Sequence, residues 1–128
     1  GSSYDNAISL GMIGYTTDSF VFNTVNSTVS DTELGLYNSN GLLVTNNDDA
    51  GDYYLSEITI SNLSSGTYYI AGGGFDTIFK SSGWLVTSSS YETGDFVINH
   101  SGGSIISSGS TSAVLSPQEI IWFSFTIQ

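Results

Sequence analysis

The sequence contains no cysteine, no arginine, one lysine, one histidine and one proline. Without cysteine the chain cannot form disulfides, thiolate metal sites or a cysteine nucleophile. Lys80 cannot neutralise several phosphates by itself, so nucleic-acid binding and attraction to an anionic membrane surface are excluded. No apolar run approaches the ~20 residues of a membrane span, so we expect no membrane insertion. With His100 as the single histidine and no G-x-S-x-G motif, we expect no catalytic triad and no enzyme activity.

What the sequence does contain is acid, small polar residues and enough apolar residues to fold. Twelve Asp and Glu residues give a formal net charge of −11, while 39% of the 128 residues are apolar and 13% are aromatic. This composition is not that of a disordered polyacid, and its length fits one domain, residues 1–128. Abundant Ser, Thr, Asn and Gly are typical of secreted β-rich proteins. Such a surface attracts cations, above all divalent ones.

Apolar and polar residues alternate with a period of two along the whole chain, and no window keeps a helical apolar stripe. The pattern predicts an all-β fold, a two-sheet antiparallel β-sandwich of jelly-roll type with eight or nine short strands. Among the predicted strands are 32–38, 42–46, 94–99, 104–108 and a closing strand at 119–127. Asn40-Gly41 and similar pairs mark the turns.

Three stretches resemble the bacterial pre-peptidase C-terminal domain family, a group of secreted β-sandwich modules. They are DTELGLYNSNGLLVTNNDD (31–49), SSGTYYIAGGGF (64–75) and the closing WFSFTI (122–127), with Ser56 and Ile58 between the first two. The resemblance covers roughly residues 5–128. It implies a sandwich fold, export from the cell and no intrinsic catalysis. For some members it also implies calcium binding and attachment to collagen or polysaccharide. We expect no enzyme to be attached to this chain, which would depart from the commonest layout of the family.

Acidic and amide side chains are concentrated around the predicted hairpin of strands 32–38 and 42–46. If Asn40-Gly41 is a two-residue turn, Glu33 lies opposite Asp48; if the loop is 38–41, Asp31 takes that place. Like charges directly opposite on a hairpin are destabilising, and a bound Ca²⁺ would relieve them with its preferred oxygen ligands. The alternative is a solvated loop of turn-forming residues. The predicted calcium ligands are Asp31, Glu33, Asn46, Asn47, Asp48, Asp49 and Asp52.

Aromatic residues in or beside predicted loops raise a second possibility, a sugar-binding surface formed by Tyr53, Trp84 and Tyr91. The alternative is that Trp84, with Phe75 and Phe79, caps the end of the core.

We therefore expect a non-catalytic, calcium-bound module on a cell or virion surface or outside the cell, acting in attachment or self-assembly. A carbohydrate-binding module of a secreted hydrolase is the competing hypothesis. The closing strand lacks the charges that blunt an exposed edge, so copies could pair through edge strands. Polysaccharide or another surface protein is the other expected partner.

Overall fold

The computed structural model describes residues 1–48 and 55–128, and within these ranges the regular secondary structure is almost entirely β-strand. A short 3₁₀ turn, Tyr4–Asn6, precedes the first strand. No helix in the described ranges has the length and apolar character needed to cross a membrane. The strands are β1 (Ile8–Gly14), β2 (Ser19–Asn23), β3 (Thr32–Tyr37), β4 (Leu43–Asn47), β5 (Glu57–Ser61), β6 (Gly66–Gly74), β7 (Thr77–Phe79), β8 (Val86–Ser88), β9 (Gly94–Ser101), β10 (Ser108–Leu115) and β11 (Ile121–Ile127).

These strands form two sheets and one additional hairpin. The larger sheet has the order β1-β11-β6-β3-β4, the smaller one has the order β10-β9-β2-β5, and β7 pairs with β8. Every pairing is antiparallel except that of β1 with β11, which is parallel. The predicted all-β sandwich is therefore confirmed.

The main core lies between the inner faces of the two sheets, as the alternating sequence requires. Phe20 and Phe22 of the smaller sheet meet Phe125 of the larger one, and the Phe22 and Phe125 ring centroids lie 4.9 Å apart. All three rings are at most 1% exposed. Burying a side chain of this size stabilises the fold by about 1.5–3 kcal/mol, so these rings are a large part of what holds the sheets together.

A second, smaller core covers the outer face of the larger sheet. The β7–β8 hairpin lies on β3, where the absence of a side chain at Gly35 leaves room for the Phe79 ring. A Cβ at Gly35 would lie only 2.3 Å from Phe79 Cδ1. Next to it, the Tyr37 hydroxyl donates to the Lys80 carbonyl oxygen over 2.7 Å. Because both faces of β3 are covered, all six of its residues are buried.

The structure corrects the expectation that the closing strand is an exposed edge. β11 is hydrogen-bonded to β1 on one side and to β6 on the other, and it lies inside the larger sheet. Its freedom from charge reflects burial, because Trp122, Phe123 and Phe125 are at most 4% exposed. The strand predicted at 104–108 begins instead at Ser108 and continues to Leu115. The short strand β7 was not predicted from the sequence.

Candidate functional site

The hairpin of β3 and β4 brings two acidic residues to facing positions. Leu34 pairs with Asn47 and Leu36 with Thr45, and continuing this register by one residue places Glu33 opposite Asp48. This is the first of the two registers considered from the sequence. The loop between β3 and β4 is nevertheless longer than the two-residue turn assumed for that register, because the pairing shifts by one residue between Leu36 and Tyr37.

Asp31 joins this pair because it lies two residues before Glu33, and residues two apart along an extended strand share a face. Carboxylate oxygens of Asp31, Glu33 and Asp48 all lie within 4.8 Å of one another. Glu33 is only 8% exposed, Asp31 is half-buried and Asp48 is exposed. The cluster of these three residues, here called the acidic cluster, therefore runs from the covered outer face of β3 to the surface.

Glu33 has an unusual electrostatic environment for an ionised side chain. Burial, followed by the charge of Asp48 and then that of Asp31, raises the pKa of Glu33 from its ordinary 4.5 to about 7. Hydrogen bonds from the backbone N–H groups of Thr77 and Asp76 act in the opposite direction and favour the charged form. The β7–β8 hairpin thus both buries this carboxylate and provides donors for it.

Asp48 is held in place through its backbone by a buried network of hydroxyl groups. The Ser56 hydroxyl oxygen lies 2.6 Å from the Asp48 carbonyl oxygen and 2.5 Å from the Thr32 carbonyl oxygen, so these two acceptors share its single proton. The Ser56 N–H donates to the hydroxyl oxygens of Thr24 and Thr32 at 2.9 and 3.1 Å. Ser56 is fully buried, so the bonds fix Asp48 to the start of β3 and thereby hold the acidic cluster together.

The other predicted metal ligands are placed differently. Asn47 accepts a hydrogen bond from the Glu57 N–H at 3.2 Å and lies opposite Leu34, on the inner face of the sheet, so it points away from Glu33. Asn46 is exposed and lies opposite Gly35, on the same face as Glu33. The two further predicted ligands, Asp49 and Asp52, and the aromatic residue Tyr53 lie outside the described residues.

An open groove with a volume of about 870 Å³ lies beside the acidic cluster, and Asp31 belongs to both. Two aromatic side chains line it in exposed positions: Tyr91 is 77% exposed and Phe75 is 51% exposed. Glu92 shapes the groove by accepting hydrogen bonds from the Phe75 N–H at 3.0 Å and from the Ser30 hydroxyl. The lining residues are Ser30, Asp31, Phe75, Asp76, Ser89, Ser90, Tyr91 and Glu92.

Of the predicted aromatic ligands, the structure brings Tyr91 to this groove and places Trp84 elsewhere. Trp84 stacks on Tyr4, with ring centroids 4.0 Å apart and planes inclined by 2°, and Tyr69 meets it edge-on at 6.1 Å. Trp84 and Phe79 therefore pack in the second core, as the structural alternative required of them, but on the outer face of the larger sheet rather than at the end of the main core. Phe75, the third residue of that alternative, is 51% exposed and lines the groove instead. The contribution of Glu92 was missed, because no sequence spacing connects it with Ser30.

Comparisons of the chain with protein-family models, curated proteins and solved structures find no match. The resemblance to the pre-peptidase C-terminal family stays a prediction.

Proposed function

We propose that this protein is a non-catalytic extracellular module that binds Ca²⁺ at the acidic cluster and acts in surface attachment or self-assembly. The observation that carries the proposal is the convergence of three carboxylates, one of them on the buried Glu33, within 4.8 Å. Like charges this close destabilise the folded state unless a cation compensates them. The chain offers one lysine for twelve acids, so the compensation comes from solution, as a proton on Glu33 or as a metal cation that binds all three carboxylates.

The donor set favours calcium over the common transition metals. Ca²⁺ takes six to eight oxygen ligands at about 2.3–2.6 Å in flexible geometry, and carboxylates are its usual ligands. Zinc and copper sites rely on Cys and His, and this chain has no Cys and one His. Asp31, Glu33 and Asp48 would supply the described part of the coordination shell. Asp49 and Asp52 are predicted to contribute from the residues that follow Asp48. Asn46, on the same face as Glu33, also stays a predicted ligand, whereas Asn47 points to the inner face.

The test is a thermal melt at neutral pH with millimolar Ca²⁺ and with EDTA, with Mg²⁺ as the matched divalent control. Binding to the native state stabilises it by about 2.7 kcal/mol at a free concentration of 100 times Kd. We expect Ca²⁺ to raise the melting temperature of the wild type, and we expect this increase to be lost in Asp48→Asn. It should persist in Asp95→Asn, which removes an exposed acid on β9. A melting temperature that does not respond to Ca²⁺ or EDTA would refute the site.

A second candidate function, carbohydrate binding, is favoured by the groove beside the acidic cluster. Sugars pack on exposed aromatic rings and hydrogen-bond to nearby polar groups, and Tyr91 with Ser89 and Ser90 provides both. We expect glycan-array binding to be lost in Tyr91→Ala. It should be retained in Tyr15→Ala, a control at a tyrosine that is 42% exposed outside this groove. Equal binding by both variants would exclude the groove as the sugar site.

A further inference from the structure

β10 forms one edge of the smaller sheet and is the longest edge strand in the described part of the chain. It pairs with β9 through eight consecutive residues without a register shift. It also lies in residues 96–118, the longest stretch of the chain without Asp, Glu, Lys or Arg. Long, regular and uncharged edges are the ones that pair with another strand, because nothing on them repels or blocks a partner.

The hydrogen bonds of β9 show which backbone groups of β10 point outwards. The N–H and C=O groups of Val97 bond to the Ser27 hydroxyl, on the side away from β10. On the same side, the Asp95 N–H donates to the Thr28 hydroxyl oxygen and the Asp95 carbonyl oxygen accepts from the Thr28 N–H. The residues opposite them, Ser112 and Val114, therefore form non-hydrogen-bonded pairs with β9.

By the same alternation, Ser108 and Ser110 also direct their N–H and C=O groups to the open side. No described residue forms a hydrogen bond to the backbone groups on this side. β10 thus presents four outward-facing residues at positions 108, 110, 112 and 114.

The other edges are shorter, interrupted or charged. β1 has register shifts on either side of Met12, and the Ile13 carbonyl oxygen already accepts from Ile105 and Ile106. The five-residue strand β5 begins at Glu57, whose N–H donates to the Asn47 side chain. β4 has five residues and runs directly into the acidic cluster.

We propose that β10 pairs antiparallel with β10 of a second copy of this chain around a two-fold axis at Thr111, which joins two four-stranded sheets into one of eight strands. This arrangement places Ser110 opposite Ser112 and Ser108 opposite Val114, so all four outward-facing residues of each copy are bonded. Thr111 then faces Thr111, and cross-strand hydroxyl pairs of this kind are favourable.

Charge opposes a second copy less at this edge than elsewhere. Each copy carries a net charge of −11, so two copies repel one another over most of their surfaces. The uncharged edge is where they can approach with least repulsion, and added salt should screen what remains. The inference rests on the self-assembly part of the proposed function and is independent of calcium, because β10 and the acidic cluster belong to different sheets.

The test is sedimentation velocity on the whole chain from micromolar to millimolar concentration, at low and high NaCl, with Ser112→Pro and Ser112→Ala compared with the wild type. Proline removes an outward N–H without disturbing the ladder to β9, and such an edge position tolerates it. Alanine keeps the N–H. We expect the wild type and Ser112→Ala to dimerise, more tightly in high salt. In Ser112→Pro each copy loses the bond from its residue 112 N–H to the partner strand, so the dimer loses two hydrogen bonds. At about 1 kcal/mol each, this should raise the dimer Kd about thirtyfold.

Hydrogen exchange of the wild type gives a readout that does not depend on the folding of a variant. The Ser110 and Ser112 amides should exchange rapidly in dilute solution and become protected at high concentration, whereas the Thr111 amide is protected at both. A monomer at all concentrations, or a dimer with unprotected Ser110 and Ser112 amides, would overturn the proposal. EDTA should leave dimerisation unchanged. A calcium-insensitive melting temperature with an intact dimer would therefore refute the metal site alone.

Discussion

Replacing Glu33 by glutamine should change the stability of the protein in opposite directions with and without calcium. Glu33 is the buried member of the acidic cluster and has a pKa of about 7. Without a metal, ionising it destabilises the fold, and the neutral amide of Glu33→Gln avoids this cost. With Ca²⁺ bound, the same charge becomes a ligand, and the amide is the poorer one.

The magnitude follows from the pKa. A pKa of about 7 against the ordinary 4.5 corresponds to about 3 kcal/mol of destabilisation at full ionisation. Screening by solvent, which reaches the cluster from the Asp48 side, reduces this to about 2 kcal/mol. The amide has one acceptor oxygen instead of two, so it loses a hydrogen bond from Thr77 or Asp76, which costs about 1 kcal/mol. The net expectation without metal is that Glu33→Gln is about 1 kcal/mol more stable at pH 8.

The pH dependence of stability shows whether ionised Glu33 stabilises or destabilises the fold. Because folding raises the pKa of Glu33, the folded state holds more protons than the unfolded state between about pH 4.5 and pH 7. The contribution of Glu33 to stability is therefore fully present at low pH and is lost as the pH rises through 7. The free energy of unfolding of Glu33→Gln minus that of the wild type should grow between about pH 4.5 and pH 7 and level off above pH 7. Titrating groups outside the acidic cluster, including the buried His100, act on both proteins and cancel in the difference.

The assay is urea denaturation at a series of pH values, in EDTA and in Ca²⁺, for the wild type, Glu33→Gln and the control Asp95→Asn. In saturating Ca²⁺ the wild type should gain about 2.7 kcal/mol and become the more stable protein by about 2 kcal/mol. Asp95→Asn should follow the wild type in every condition. The reasoning fails if Glu33→Gln is less stable than the wild type in EDTA at pH 8, or if Ca²⁺ leaves the order of stability unchanged.

Two further variants test how the acidic cluster is held. Ser56→Ala removes the hydroxyl that bonds the buried carbonyl oxygens of Thr32 and Asp48, so we expect a loss of about 1–3 kcal/mol in urea denaturation and weaker calcium binding by calorimetry. The exposed Ser61→Ala is its control, and equal stability of the two variants would contradict the network. Gly35→Ala places a methyl group against the Phe79 ring and should cost about 1–3 kcal/mol. It should also lower calcium affinity by displacing the β7–β8 hairpin, and unchanged calorimetry would show that the hairpin does not support the site.

The acidic part of the candidate site could be predicted from the sequence because it lies on a single hairpin, whose two strands are close together in the chain. The pairing of Glu33 with Asp48 follows from the short distance between two strands joined by one loop, and one of the two predicted registers is the observed one. The groove could not be read in this way. It depends on Glu92 accepting from Ser30, two residues far apart in the chain whose proximity arises only when the sheets pack.

The aromatic residues show the same difference. Trp84 and Tyr91 look alike in the sequence, since both lie in loop-like stretches rich in Ser, Thr and Gly. Only the packed structure separates them, because Tyr4 covers one face of Trp84 while Tyr91 stays 77% exposed.

The sequence by itself determined the all-β fold and the concentration of acid around one hairpin, because alternation and composition act at the level of single residues and their near neighbours. The tertiary structure decided which strand is buried and which is an edge. β11 and β10 are both uncharged strands, yet β11 has a neighbour on each side and β10 has one. That distinction depends on strand order within a sheet, which is fixed by contacts between distant parts of the chain.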